Sequence, residues 1–377
     1  MNNLSNPLDS MFDKYVLERG AMSQVSPFLQ QRGLKQVVLV ADSNTYEAAG
    51  KDLEDGLRTH GLSVKLCLLT PDAAGDVVAD EATLVELMLQ IEPGQSDMLL
   101  AVGSGTIHDI VRFASHKCGI PFISVPTAPS VDGFASSGAP LVIRGVKTTV
   151  PAAAPIAIFA DTEVLMKAPQ RLVAAGFGDM LAKYTSLFDW KFSSLTGNEP
   201  YHEQAASMTE HALKTCVEHV QEIGERTEQG ITVLMSSLME SGAAMMLFGK
   251  SHPASGAEHH LSHYWEMEFL HLGRRALLHG AKVGVACAEI SRLYHAAVDS
   301  QVYPGQEPHA LQRHADQIRT WLMEVPDAAQ LRELLRIVGG PSTLQELGVD
   351  GDLYARSVKE AHRLRDRHTL LRALQEA

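Results

Sequence analysis

Met98-Leu-Leu-Ala-Val102 runs directly into Gly103-Ser-Gly105-Thr-Ile-His-Asp109 and a helical stretch ending at Lys117. A short apolar run, two glycines and then helix-compatible residues spell strand, tight turn and helix. Small residues at such a turn let backbone N–H groups approach a pyrophosphate at the helix N-terminus. The third glycine of the G-x-G-x-x-G pattern is absent, because His108 takes its place, and the motif follows the third predicted strand where a dinucleotide fingerprint ordinarily follows the first. An ordinary tight turn therefore stands as the competing reading.

Outward from this turn, β-rich runs at 36–41, 63–69, 121–125 and 156–160 alternate with helical stretches. That alternation marks βαβ units and a parallel sheet. Between 125 and 156 the pattern loosens into Ala128-Pro-Ser-Val-Asp-Gly133 and a hairpin signal around Arg144-Gly145. Ligands of open α/β sheets bind at such strand ends. From about Ala168 onward strand signals nearly vanish and helices are predicted at 179–192, 201–224, 231–248, 257–269 and 281–297. The expected fold is a Rossmann-like α/β N-terminal domain over 1–165, built on a parallel sheet, plus an all-helical C-terminal domain over 166–377, the two packed around a cleft. Ser255-Gly256 breaks the chain before a histidine-rich helix, and Ser342-Thr-Leu-Gln345 has capping-box spacing.

A chain of 377 residues, 45% hydrophobic and 20% charged, can bury a large core. Its formal charge of -13 disfavours nonspecific contact with nucleic acid or an anionic membrane, since both need a positive field. Any anionic ligand must be held by a local pocket. Cys67, Cys118, Cys216 and Cys287 are scattered without C-x-x-C spacing, which fits neither a disulfide framework nor a thiolate zinc site. The first ten residues lack a basic stretch followed by an apolar core, and no apolar run is read as approaching the roughly 20 residues of a spanning helix. A cytoplasmic protein without membrane insertion is expected.

The chemistry concentrates in Glu258-His259-His260-Leu-Ser-His263, in Leu277-Leu278-His279-Gly280 and in Gly176-Phe-Gly178-Asp179. On a helix His259 and His263 share a face, while His260 is rotated by about 100°. The glutamate of H-E-x-x-H is missing, so the general base of a zinc protease is absent. Asp179 and His279 are each read at a helix start, from which they can project into a cleft. One carboxylate and two or three imidazoles can hold a divalent ion with positions open for substrate. Six of the 17 histidines fall between Ser251 and Gly280, although a satisfied structural role is the usual fate of any single one. Asp42, at the end of the first predicted strand, suits either a ribose contact or a helix N-cap.

Four longer motifs carry a resemblance: Val125-Pro-Thr-Ala-Pro-Ser-Val-Asp-Gly133, Ala174-Ala-Gly-Phe-Gly-Asp179-Met-Leu-Ala-Lys-Tyr-Thr-Ser186, Pro253-Ala-Ser-Gly-Ala-Glu-His259-His-Leu-Ser-His263 and Leu278-His279-Gly-Ala-Lys-Val-Gly284. With these in order, the chain resembles the bacterial branch of the sn-glycerol-1-phosphate dehydrogenases, within the dehydroquinate-synthase-like and iron-type alcohol dehydrogenase superfamily. The resemblance implies that Asp179, His259 and His279 are metal ligands and that His263 and Asp132 face the substrate. It also implies that Gly103, Ser104, Gly105, Thr106 and Ile107 hold the pyrophosphate of NAD(H) or NADP(H). Thr127, Ser130 and Ser136 would contact the dinucleotide, with Asp42 near its adenosine end. Dihydroxyacetone phosphate is the implied substrate, Ni2+ the implied metal with Zn2+ or Fe2+ as alternatives, and a homodimer the implied assembly.

Plainer readings stand beside these. Asp132-Gly133 is also a turn dipeptide, Thr127 and Ser130 can be ordinary loop hydroxyls, and Lys183 reads as an i+4 partner of Asp179. The basic run Arg363-Leu-Arg365-Asp-Arg367 reads as a solvated helix face and is left out of the site. His263, with its ordinary imidazole pKa, is read as able to move a proton near neutral pH. The alternative functions are a dehydrogenase of unphosphorylated glycerol or polyols, a sugar-phosphate cyclase that retains NAD, and a metal-binding protein without turnover.

Overall fold

The computed structural model describes residues 7–92, 94–300 and 310–376. Residues 1–6, the first six of the ten residues read for a leader, lie outside the described residues.

Eight strands follow in chain order: β1 (Lys14–Glu18), β2 (Gln36–Ala41), β3 (Ser63–Leu68), β4 (Met98–Gly103), β5 (Phe122–Pro126), β6 (Gly138–Ile143), β7 (Val146–Pro151) and β8 (Ala157–Asp161). Six of them form one parallel sheet in the order β1-β8-β5-β4-β2-β3. Every residue of β4, β5 and β8 is buried, as a parallel sheet covered on both faces requires. All five strands predicted from sequence are present. The missed one, β1, is the short Lys-Tyr-Val-Leu-Glu run; only Val16 in it is fully buried, so pairing with β8 rather than apolar content makes it a strand.

The chain passes from β2 outward to β3 and then returns to the other side of β2 as β4. This reversal opens a crevice at the C-terminal ends of β2 and β4, where Asp42 and Ser104 emerge side by side. The predicted hairpin is real and separate: β6 and β7 pair antiparallel across Arg144 and Gly145, whose φ values of 51° and 75° suit the tight turn whose twist matches that of the strands.

Beyond β8 the described chain is helical, apart from its loops. The helices that matter for the site are α1 (Gly105–Cys118), α2 (Gln170–Leu181), α3 (Lys183–Thr196), α4 (Glu228–Phe248), α5 (Ala257–His271) and α6 (His279–Ser300). Four readings are corrected. The helix expected over 179–192 is two, α2 and α3, joined at Ala182. The helix expected over 201–224 is likewise divided, into Glu203–Glu218 and Val220–Gly224. The capping box lies one residue later than read, with Thr343 and Glu346 exchanging the bonds. Finally, α4 is long and apolar enough to cross a membrane, with a mean hydropathy of 1.5 over its best window; here Leu234, Met235, Leu238 and Met239 sit in the main core.

Glycines set how closely these helices approach. A Cβ on Gly280 would collide with the carbonyl of Ala175, and one on Gly178 with the carbonyl of Gly280. The start of α6 can therefore press against the end of α2 only because both contact points lack side chains. That crossing places Asp179 beside His279.

Candidate metal and nucleotide site

Asp179 is fully buried in the last turn of α2, not at a helix start as read from sequence, whereas His279 does begin α6. His259 comes from the first turn of α5. Ligand atoms of Asp179, His259 and His279 all lie within 4.8 Å of one another. The His259 and His279 ring centroids are 5.2 Å apart, and His263 stands 6.0 Å from the first and 6.2 Å from the second. Three separate helices thus converge on one point.

The residues around these donors orient them. Glu258 Oε1 lies 2.8 Å from His259 Nδ1, while the same carboxylate accepts bonds from Gly256 N–H at 2.6 Å and from the Thr185 hydroxyl at 2.7 Å. Burial would raise this carboxyl, but the bonds from His259, Gly256 and Thr185 outweigh it and hold Glu258 below its ordinary range. A carboxylate at Nδ1 assigns the proton to that nitrogen and leaves Nε2 free to bind a metal.

Lys183, also fully buried, bridges Asp132 Oδ2 at 2.8 Å and Asp179 Oδ1 at 2.9 Å. Burial alone would lower its pKa; the two carboxylates reverse that and raise it. The Asp132 carboxyl is pushed up by burial and by Asp179, against the pull of Lys183, and Ser241 donates to it at 2.9 Å. The backbone N–H of Asp132 donates to Asp179 Oδ2 at 3.0 Å, so this turn also orients the Asp179 carboxylate. The i+4 reading of Lys183 holds, and the cation does more by tying two elements together.

His279 keeps 27% of its side chain accessible from the cleft, yet burial, followed by His259 and the cations Lys282 and Lys147, holds its pKa well below the ordinary value. Such an imidazole is neutral and able to bind a metal. His263 is held low in the same way, by its dense surroundings and then by Arg365, Lys147, His259 and Lys282. The expectation of an ordinary imidazole pKa at His263 is therefore corrected. His260 points elsewhere, fully buried with neither ring nitrogen hydrogen-bonded to a described residue.

A cleft of about 1440 Å3 runs from this cluster to the crevice of the sheet. Asp42, Ser104, Gly105, Thr106, Thr127, Ser130, Asp132, Ser136, His259, His263 and His279 line it. Gly103 and Ile107 do not: Gly103 is the buried end of β4, and the Ile107 side chain packs into the core beneath the sheet. A Cβ on Gly103 would strike Ile107, and one on Gly105 would press on Val131, so packing favours glycine at both positions of the turn, most strongly at Gly103. Ser104 occupies the N-cap of α1 without a side-chain cap bond, which leaves its hydroxyl available to the cleft. Asp42 does cap a helix, in a reciprocal bond with Thr45 at 2.8 and 3.0 Å, while still lining the cleft.

Where the third glycine would stand, buried His108 links the Ser104 carbonyl at 2.9 Å to the Ser124 hydroxyl at 2.7 Å. Burial pushes its pKa down to about 3.

Residues 16–169 match the iron-containing alcohol dehydrogenase family. A glycerol-1-phosphate dehydrogenase [NAD(P)+] of Geobacillus thermodenitrificans is 46% identical over 98% of this chain and 93% of its own, and that of Geobacillus stearothermophilus is 47% identical over the same shares. The chain belongs to the glycerol-1-phosphate dehydrogenase family. Among solved structures, a glycerol dehydrogenase from Schizosaccharomyces pombe superposes with a TM-score of 0.72 over 97% of this chain and 85% of that one. At 19% identity that likeness speaks to the fold alone. The resemblance drawn from the four motifs and the fold expected from it are both borne out.

For a glycerol-1-phosphate dehydrogenase, several groups in or beside the cleft escaped the sequence reading, among them the following. Glu258 was noted only as preceding the histidine. Arg112 on α1, fully buried, donates to the carbonyls of Gly133, Ser136 and Gly138 and so shapes the cleft wall. Asp109 lines the cleft with its carboxyl pushed up to about 7 by burial, against the cations Arg112 and Lys147. Arg365, assigned to a solvated face, lines the cleft with its NH2 group 3.3 Å from His263 Nδ1. Nothing local distinguishes Arg365 from exposed Arg363; the difference lies in what the chain end packs against.

Proposed function

We propose that this protein reduces dihydroxyacetone phosphate to sn-glycerol 1-phosphate, reversibly, using NADH or NADPH and one divalent metal ion, as a cytoplasmic homodimer. The observation that carries the reading is the meeting of Asp179, His259 and His279 in the cleft that also contains the glycine turn, in a chain 46% identical to a named glycerol-1-phosphate dehydrogenase. One buried carboxylate and two imidazoles suit nickel, zinc or ferrous iron, with nickel first on the bacterial resemblance. When bound, the ion supplies Lewis-acid polarisation of a ketone and the reduced nicotinamide supplies hydride.

The chain's own residues do the rest. Lys183 compensates the charge that Asp132 and Asp179 bring into the interior. Glu258 holds the His259 ring in one tautomer. Arg365 donates to Nδ1 of His263, which directs its Nε2–H as a donor toward the cleft, suited to a substrate oxygen. Ser104, Gly105 and Thr106, at the start of α1, offer a positive helix end to a pyrophosphate.

The test is nicotinamide absorbance with metal-stripped protein reloaded separately with nickel, zinc or ferrous iron, on dihydroxyacetone phosphate and dihydroxyacetone. A strong preference for the phosphate ester is expected, and a preference for dihydroxyacetone would assign a polyol dehydrogenase. Retained NAD without net consumption of NADH would indicate a cyclase. Silence of every reloaded form would indicate a protein without turnover.

A further inference from the structure

Three cationic side chains from distant parts of the chain line the cleft beside His263 and His279. Lys147 comes from β7, Lys282 from the first turn of α6, and Arg365 from the segment before the last helix, Leu370–Gln375. One carboxylate, Glu266 on α5, lies between the two lysines: Lys147 Nζ is 2.9 and 3.0 Å from its oxygens, and Lys282 Nζ is 2.6 Å from Oε2. Lys282 is fully buried, and among the described residues Glu266 is the one carboxylate within ion-pair distance of it. Arg365 donates to Ser255 Oγ at 3.2 Å and to His263, and among the described residues no carboxylate lies within ion-pair distance of it. Burial lowers Lys282 to about 8, which leaves it mostly charged at neutral pH. Within ion-pair distance the three cations share one carboxylate, Glu266, with Asp109 elsewhere on the lining of the same cleft, in a chain whose formal charge is -13. Removing such an excess of charge from water is costly unless an anion completes it.

We infer that Lys147, Lys282 and Arg365 anchor the phosphate of the substrate and thereby set the preference for a phosphate ester over a free polyol. The inference rests on the function proposed above. The positive charge left beyond Glu266 suits a phosphate, and a guanidinium with two ammonium groups supplies the charged donors that phosphate oxygens accept. Because Arg365 also touches His263, an anchored phosphate brings the attached carbon chain to that imidazole and to the adjoining donor set. Among the other cations lining the cleft, Arg275 pairs with Asp76, Lys167 pairs with Glu163, and Arg274 donates to the Gly348 carbonyl.

The experiment compares the metal-loaded wild type with Lys147→Met, Lys282→Met and Arg365→Met. It reads kcat/KM on dihydroxyacetone phosphate and on dihydroxyacetone, and inhibition by inorganic phosphate. Metal content and NADH binding verify that each variant folds. The ratio of the two kcat/KM values is expected to fall by about 100-fold for Arg365→Met, the scale of a lost charged contact, with less loss for Arg365→Lys. Inhibition by inorganic phosphate should weaken in parallel. An unchanged ratio in folded variants, or equal losses on both substrates, would overturn the anchor and leave the proposed function standing. A wild type indifferent to the phosphate group would overturn both, and that result is visible before any variant is made.

Discussion

At the scale of single residues, the donor set is held partly by groups off the cleft lining, Glu258 and Lys183. Glu258 ties α3 to the start of α5 through one carboxylate, and its removal should act on the metal rather than on the fold. Glu258→Gln is expected to weaken metal binding by about tenfold or more, because the charge that makes His259 a better ligand is gone. Competition with a chelating dye measures this, and an unchanged affinity would reduce Glu258 to a helix-start residue. His108 makes a second prediction, in stability. Its folded pKa of about 3 lies below the unfolded value of about 6.5. Below pH 6.5 the unfolded chain takes up a proton that the folded chain refuses, so this contribution is full above that pH and declines toward pH 3. Urea unfolding should show that acidification to about pH 4 costs the wild type on the order of 2–3 kcal/mol more than a His108→Gln variant. Equal acid sensitivity would mean that His108 is not buried neutral. Arg365 shows the limit of residue-level reading, because three arginines in five positions look alike until the chain end is packed.

At the scale of elements, the site depends on how closely α2 and α6 cross. Gly178 and Gly280 permit the contact that puts Asp179 beside His279, and the clash at Gly280 is with backbone, which cannot swing aside. Gly280→Ala is therefore expected to destabilise the protein by about 1–3 kcal/mol and to lower metal occupancy together with it. Thermal melting and metal analysis on the same sample check both; loss of stability with full occupancy would show that the crossing does not position the ligands. The histidine helix α5 was legible because Gly256 interrupts the chain and a 3.6-residue repeat puts His259 and His263 on one face. The break at Ala182 was not legible, since helix-forming residues continue through it and only packing ends α2 there.

At the scale of the molecule, the sheet-bearing and helical parts meet across the cleft through ion pairs as well as core. Lys147 reaches Glu266, and Arg275 reaches Asp76 at 2.5 and 2.6 Å with both partners partly exposed. Exposed pairs contribute little stability, so Arg275→Ala should shift it by less than about 1 kcal/mol. The expected effect is on opening, read as faster release of NADH in stopped-flow fluorescence; an unchanged release rate would show that the pair does not restrain the cleft. The sequence by itself determined the alternation of strand and helix, the helical second part, the glycine turn and the family, because periodicity, turn chemistry and ordered motifs are local properties of the chain. It also brought forward Asp179, His259 and His279 as ligand candidates. Tertiary structure alone decided that Asp179 lies in the last turn of a helix, that Lys183 joins two carboxylates, that His263 is held neutral and that Arg365 faces inward. Each of those depends on burial and on partners between 47 and 102 residues away in the chain, or on where packing ends a helix, and no local pattern encodes either.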